Sequence, residues 1–171
     1  MDIRSEILAE HSRAQSLRIA AWIGNRKDRF DQLIKLFLQD EYRVVQRSAW
    51  IISFVAASHP ALMTPHLSAM VARIEVPDLP TAVKRNVLRI LQHISIPPDL
   101  HGPVMNTCFS FLEDPQEMIA VKAFSMTILA NLAKEYPEIK NEIRLLITDL
   151  LEHTPSAGIR SRAKKVLTAI K

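Results

Sequence analysis

The stretch AVKRNVLRIL at residues 82–91 returns in altered form as AVKAFSMTIL at residues 120–129. Five of the ten positions are identical, and the offset between the copies is 120 − 82 = 38 residues. The same offset aligns apolar residues elsewhere in columns, one of which contains Val45, Val83, Val121 and Ile159. Within each copy the apolar residues are three or four positions apart, which is typical of amphipathic helices. The pattern therefore predicts an internal helical repeat.

Each copy contains two such stretches, an upstream helix A and a downstream helix B, which we expect to form a hairpin. The turns between them are predicted at LQDEYR, VPDLPT, LEDPQE and TPSAG, which are rich in Asp, Pro or Gly. Pro60, Pro98 and Pro137 are expected to open A helices, since proline fits the first helical turn, and all 10 prolines are expected near helix ends or between helices. The first copy is irregular, because LRIAAWIG (17–24) resembles VQRSAWII (45–52) at a shorter offset. We predict B helices at residues 12–25, 43–58, 81–95, 120–134 and 157–171.

The segments EDPQEMIAVKAFSMTILANLA (113–133) and QDEYRVVQRSAWII (39–52) place an Asp in the turn before helix B. With these motifs the chain resembles the HEAT-repeat family. The resemblance implies an all-α fold, an α-solenoid with a right-handed superhelix of about five antiparallel hairpins and the period of 38 residues seen in the sequence. It predicts one domain over residues 1–171, with units at roughly 1–25, 26–59, 60–97, 98–135 and 136–171. Tetratricopeptide repeats are a poorer match, because the period is too long and their Gly/Tyr pattern is absent.

The charged residues are distributed unevenly between the two kinds of helix. The chain has 22 Lys and Arg, 18 Asp and Glu, and a net charge of +4, yet the predicted B helices contain no Asp or Glu. The resemblance implies that the outward side of the B helices lines a concave surface, which is then cationic and attracts anions. Ile51, Leu88 and Gln92 are predicted on the same side. The candidate partner-binding residues are Arg43, Arg47, Trp50, Phe54, Arg85 and Arg89.

Several of these residues also have a structural interpretation. The column Gln46, Lys84, Lys122 and Arg160 is predicted to bond turn carbonyls or the turn aspartates Asp40, Asp78 and Asp114. Both a structural and a binding role remain open for the four candidate arginines. Trp50 could pack beside Trp22 and Leu88, or it could anchor a partner. The basic segment RSRAKK (160–165) is interpreted as a solvated end cap.

No catalytic residue, metal ligand or cofactor is predicted. Only 3 glycines are present, too few for a phosphate-binding loop, and the 6 histidines lack any metal-ligand spacing. His59 and His66 are interpreted as capping or surface residues. Cys108 lies on an apolar stripe and is predicted to be a buried small hydrophobe. A single cysteine, no signal-peptide pattern and no membrane-spanning run favour a cytoplasmic location.

The sequence thus predicts a non-enzymatic binding or scaffold module whose basic, partly aromatic concave face binds an acidic protein segment. The alternative is nucleic-acid binding through the same face, related to HEAT-like alkylpurine DNA glycosylases. That resemblance implies an Asp on the concave face, and the predicted B helices offer none. A third hypothesis is an adaptor whose apolar second unit docks onto a larger complex. No membrane or metal partner is predicted.

Overall fold

The computed structural model describes residues 1–76, 79, 81–153 and 156–171. These residues form ten α-helices, and no strand occurs among them. Short 3-10 turns at Pro60–Leu62, Thr64–His66 and Pro137–Ile139 complete the regular structure. The predicted all-α class is confirmed. The helices are α1 (Ile3–Ala9), α2 (Arg13–Ile23), α3 (Lys27–Gln39), α4 (Tyr42–Ser58), α5 (Leu67–Ile74), α6 (Thr81–Leu91), α7 (Pro98–Glu113), α8 (Ile119–Leu132), α9 (Lys140–His153) and α10 (Ala157–Ala169).

The helices alternate between the predicted A and B positions along the chain. Helices α2, α4, α6, α8 and α10 occupy the predicted B positions, and α1, α3, α5, α7 and α9 the A positions. The later B helices begin at residues 42, 81, 119 and 157. The exact number of repeats and the period of 38 residues stay predictions. The single domain over residues 1–171 also stays a prediction. In the structure the chain divides into two compact units, Met1–Ile90 and Leu91–Lys171.

Helix α4 is central in unit 1, because α1, α2 and α3 all pack against it. The core consists of aromatic and branched side chains from these helices, including Phe30 and Phe37 of α3 and Ile52 of α4, all fully buried. Burying each such side chain contributes about 1.5–3 kcal/mol. Because α1 is only 7 residues long, its stability depends on this packing rather than on its own helix propensity.

In unit 2, α8 packs against α7, α9 and α10, and α7 also contacts α9. Residues 114–118 join α7 to α8 as a short turn, which makes this pair an antiparallel hairpin. Cys108 of α7 and Met126 and Leu129 of α8 are fully buried in the core of this unit, and Ile143 and Ile147 of α9 are buried as well.

The prolines partly follow the prediction. Pro98 opens α7 as expected, but Pro60 and Pro137 begin 3-10 turns that precede α5 and α9. Pro65 lacks an N–H and so cannot extend an α-helical ladder from Pro60, and α5 begins only at Leu67. Pro103 lies inside α7, away from the predicted helix ends.

Parts of the predicted turns VPDLPT and TPSAG lie outside the described residues. These are Pro77, Asp78, Pro80, Thr154 and Pro155.

Candidate partner-binding surface

All the predicted partner-binding residues lie on α4 or α6, within unit 1. Helix α4 runs without Gly or Pro for 17 residues and ends at Ser58, with His59 as its C-cap. His59 leaves the helical conformation because it precedes Pro60, which disfavours the α region for the residue before it. His59 thus has the capping position predicted for it.

Arg47 links α4 to α1. Its side chain is half-buried, and Nη1 donates hydrogen bonds to the carbonyl oxygens of Ile7 at 2.9 Å and Leu8 at 3.0 Å. Both carbonyls belong to the last turn of α1, where no intrahelical N–H is available to them. A guanidinium group also favours the negative end of the helix dipole. This contact gives Arg47 a structural role, one of the two alternatives left open by the sequence.

The two aromatic candidates, Trp50 and Phe54, each contact a residue just before or at the start of α2. The ring of Trp50 lies 5.4 Å from that of His11, and the Arg13 guanidinium lies 5.8 Å from the centroid of Phe54. The latter geometry is a cation–π contact. Both aromatic side chains remain half-buried. His11 and Arg13 are not among the candidates predicted from the sequence, although they lie just before and at the start of a predicted B helix.

The packing of Trp50 beside Trp22 and Leu88 stays a prediction, because the ring contact of Trp50 with His11 does not test it. Trp22 lies under the guanidinium of Arg29, 4.0 Å from Cζ to the ring centroid. Arg29 also donates a hydrogen bond to the carbonyl oxygen of Trp22. Leu88 is fully buried.

Three residues predicted on the partner-facing side lie in the interior. Ile51 and Leu88 are 1% and 0% exposed, and Gln92 is 7% exposed. The prediction was wrong for Ile51 because three helices surround α4, so that its buried arc extends from Val45 and Ile52 to Val44 and Val55. A helical wheel gives directions around the axis, not the number of neighbouring helices.

The remaining cations differ in how they are engaged. Arg43 is exposed in the first turn of α4, and Arg85 is half-buried on α6. Neither makes a hydrogen bond or an ion pair with another residue of the described ranges. Arg89 is half-buried, and both it and Lys84 have interactions within the chain. Arg43 and Arg85 are therefore the cations best placed to meet an external anion.

No acidic residue occurs in α2, α4 or α6. Nearby carboxylates come from α1 and from the turn before α4. Glu6 forms a salt bridge with Arg18. The carboxylate of Asp40 accepts two hydrogen bonds from the Arg4 guanidinium, at 2.9 and 3.1 Å. A carboxylate oxygen of Glu41 lies 3.4 Å from the same guanidinium. The hydrogen bonds from Arg4 hold the pKa of Asp40 below its ordinary value. These carboxylates are thus paired with Arg4 and Arg18, and α4 itself has no acidic residue to pair with its own cations.

The basic column was predicted to bond turn carbonyls or turn aspartates, and it does not bond Asp40 or Asp114. Asp78 lies outside the described residues, and Lys84 has an interaction within the chain. The partner of Asp40 is Arg4, and Asp114 accepts from the backbone N–H of Gln116 at 2.8 Å. Within the column, Lys122 is buried and Arg160 is exposed.

His66 has the N-cap position of α5, one of the two roles predicted for it, although its side chain makes no capping hydrogen bond. Its side chain is 17% exposed, and its ring lies 5.7 Å from that of Phe30. Its Nε2 lies 2.8 Å from Oδ1 of Asp31, whose other oxygen binds Lys27 at 2.6 Å. Lys27, followed by His66, lowers the pKa of Asp31. His66 thus joins α3 to the turn before α5.

Cys108 is buried as predicted, and burial raises the pKa of its thiol to about 12. A thiol with such a pKa is protonated at neutral pH and is a poor nucleophile. Over the described ranges, no group of three or more His, Cys, Asp or Glu is arranged to hold a metal ion. No helix in that part of the chain is long and apolar enough to cross a membrane.

A family model described as a HEAT repeat domain matches residues 3–170. The chain belongs to the HEAT-repeat family. Neither a curated protein nor a solved structure matched it in the corresponding comparisons. HEAT repeats are typically non-enzymatic scaffolds for protein interactions, so membership suggests the same class of function here.

Proposed function

We propose that unit 1 binds an acidic segment of a partner protein through a surface formed by Arg43, Trp50, Phe54, Arg85 and Arg89, which we name the cationic surface. The observation that carries the proposal is the absence of Asp and Glu from α2, α4 and α6. A surface that presents cations without intervening anions favours a ligand of opposite charge. The function is binding without catalysis.

Within this surface the residues have different roles. Arg43 and Arg85 form ion pairs with carboxylates of the partner, and Arg89 adds to their field. Trp50 and Phe54 offer the exposed parts of their rings to apolar side chains, as aromatic residues do at interface hot spots. Arg47 supports the surface by fixing α4 to the end of α1, and its two hydrogen bonds make it a positioning residue.

The proposed surface belongs to an array of five hairpins with a period of 38 residues. The start residues of α4, α6, α8 and α10, at 42, 81, 119 and 157, support this period. Arg47 and Arg85 are equivalent under it. The half-buried state of both side chains agrees with that equivalence.

A protein ligand is favoured over nucleic acid by the number of available cations. Proteins that bind duplex DNA through its backbone typically contact roughly 6–10 phosphates. On α4 and α6, Arg47 is occupied by backbone carbonyls and Lys84 and Arg89 have interactions within the chain. A few arginines beside partly exposed aromatic rings suit a short acidic peptide better than a polyphosphate.

The test is a fluorescence anisotropy titration with a labelled peptide of glutamates and phenylalanines, in which interspersed prolines prevent helix formation. We expect wild-type protein to bind and the variant Arg43→Glu/Arg85→Glu to bind at least about tenfold more weakly, since each like-charge contact is costly. The control is Lys134→Glu/Lys165→Glu in unit 2, which makes the same change in net charge at exposed sites.

Labelled single-stranded and duplex oligonucleotides form the second arm of the experiment. Tighter binding of either oligonucleotide than of the peptide, with a steep dependence on salt, would favour the nucleic-acid alternative. Equal weakening in the test and control variants would show that only net charge matters, and would contradict the assignment of the surface.

A further inference from the structure

The end of unit 2 carries a groove of about 470 Å³ between α9 and α10. Leu151 of α9 contributes one wall. The other lining residues lie on one face of α10 and in the residues after it, because they are three or four positions apart. They are Arg160, Lys164, Leu167, Thr168 and Lys171.

The equivalent face of α8 is covered. Moving back 38 residues from Arg160, Lys164, Leu167 and Thr168 leads to Lys122, Met126, Leu129 and Ala130. These α8 residues are 6%, 0%, 0% and 7% exposed, and α10 is among the helices that pack on α8. In α10, by contrast, Leu167 is half-buried and Arg160, Lys164 and Thr168 are exposed. The groove thus lies on the face of α10 that corresponds, at this offset, to a buried face of α8.

The groove combines an apolar floor with unneutralised positive charge. Leu151 and Leu167 are both half-buried. No Asp or Glu is among the lining residues, and neither Arg160 nor Lys164 makes a hydrogen bond or an ion pair through its side chain within the described ranges. The interpretation of this segment as a solvated end cap explains why Arg160 and Lys164 are exposed. It does not explain why the side chains of Leu151 and Leu167 are partly exposed beside them.

We propose that this groove is a second docking site, which binds an amphipathic helix carrying carboxylates from a partner protein. Apolar side chains of that helix pack on Leu151 and Leu167, and its flanking carboxylates pair with Arg160 and Lys164. The bound helix buries this face of α10, as the corresponding face of α8 is buried. Charge complementarity selects an acidic helix over a basic one.

The probe is a lactam-stapled helical peptide with leucines three and four positions apart and glutamates beside them. The comparison peptide replaces each glutamate by lysine. We expect wild-type protein to bind the glutamate peptide in an anisotropy titration and to bind the lysine peptide at least about tenfold more weakly, because unlike charges attract and like charges repel across the groove.

Two adjacent lysines provide a matched pair of variants. Lys164→Glu changes the groove, whereas Lys165→Glu makes the same charge change at an exposed residue outside the lining set. We expect about a tenfold loss of affinity in the first and less than about a twofold loss in the second, since solvent and salt screen the more distant charge. Leu167→Ala, which keeps the charges, should also weaken binding.

The unit 1 variant Arg43→Glu/Arg85→Glu should leave the affinity for the stapled glutamate peptide unchanged. The experiment therefore distinguishes a failure of the groove proposal from a failure of the proposed cationic surface. Equal effects of Lys164→Glu and Lys165→Glu would overturn the proposal. So would equal binding of both peptides, or self-association in sedimentation experiments that Lys164→Glu abolishes, because the occupant would then be a second copy. Circular dichroism confirms that each variant is folded.

Discussion

Replacing Arg47 by alanine removes the hydrogen bonds that join α4 to the last turn of α1. Nη1 of Arg47 lies 2.9 and 3.0 Å from the two α1 carbonyls. A hydrogen bond to a charged group contributes about 1.5–3 kcal/mol. The side chain is half-buried, so water can partly resolvate the carbonyls in the variant. We therefore expect the free energy of unfolding to fall by about 1.5–2.5 kcal/mol for the pair of bonds together.

The measurement is a thermal melt followed by circular dichroism, combined with amide hydrogen exchange. A loss of this size lowers the melting temperature by about 3–10 °C in a chain of this length. Exchange should accelerate first in the amides of α1, because the short helix loses a tertiary anchor while the rest of unit 1 keeps its core.

Arg43→Ala is the matched control, since Arg43 lies one turn earlier on α4 and is exposed. Surface substitutions of this kind change stability by less than about 0.5 kcal/mol. Equal melting temperatures for the two variants, or unchanged exchange in α1 when Arg47 is replaced, would refute the structural role of Arg47.

Two further predictions concern buried or paired groups. In the native protein Cys108 should react with a thiol reagent at mildly alkaline pH far more slowly than in denaturant, because its thiol has a pKa of about 12 and is buried; equal rates would contradict this. Asp31 has a lowered pKa, mainly through Lys27, so its stabilising contribution is present above about pH 4 and is lost as the pH falls through the folded-state pKa. Asp31→Asn should therefore lower the melting temperature at neutral pH and change it little at strongly acidic pH. The same difference in melting temperature between wild type and variant at both pH values would contradict a stabilising role of the ionised Asp31.

The helices could be predicted from the sequence because their apolar positions repeat. The stretch at residues 82–91 lies in α6, and its copy at residues 120–129 lies within α8. Val83 and Val121 are both buried, in agreement with the apolar positions predicted for them. Local spacing determines which side of a helix is apolar, and therefore the positions of the helices followed from the sequence.

The contacts of the candidate site could not be predicted in the same way. Arg47 bonds backbone carbonyls of α1 that are 39 and 40 positions away along the chain, and a carbonyl leaves no signature in the sequence. Ile51 was placed outside because the sequence does not reveal that three helices pack around α4. The pairing of His66 with Asp31 likewise depends on how α3 meets the turn before α5.

The most direct test of the cationic surface uses Trp50 as its own reporter. The chain has 2 tryptophans, so Trp22→Phe leaves the fluorescence of Trp50 alone, half-buried beside His11. We predict that titration with the proline-containing acidic peptide shifts or quenches this emission to saturation, and that Arg43→Glu/Arg85→Glu abolishes the change. Peptide binding detected by anisotropy without any change in the emission of Trp50 would contradict the proposed surface.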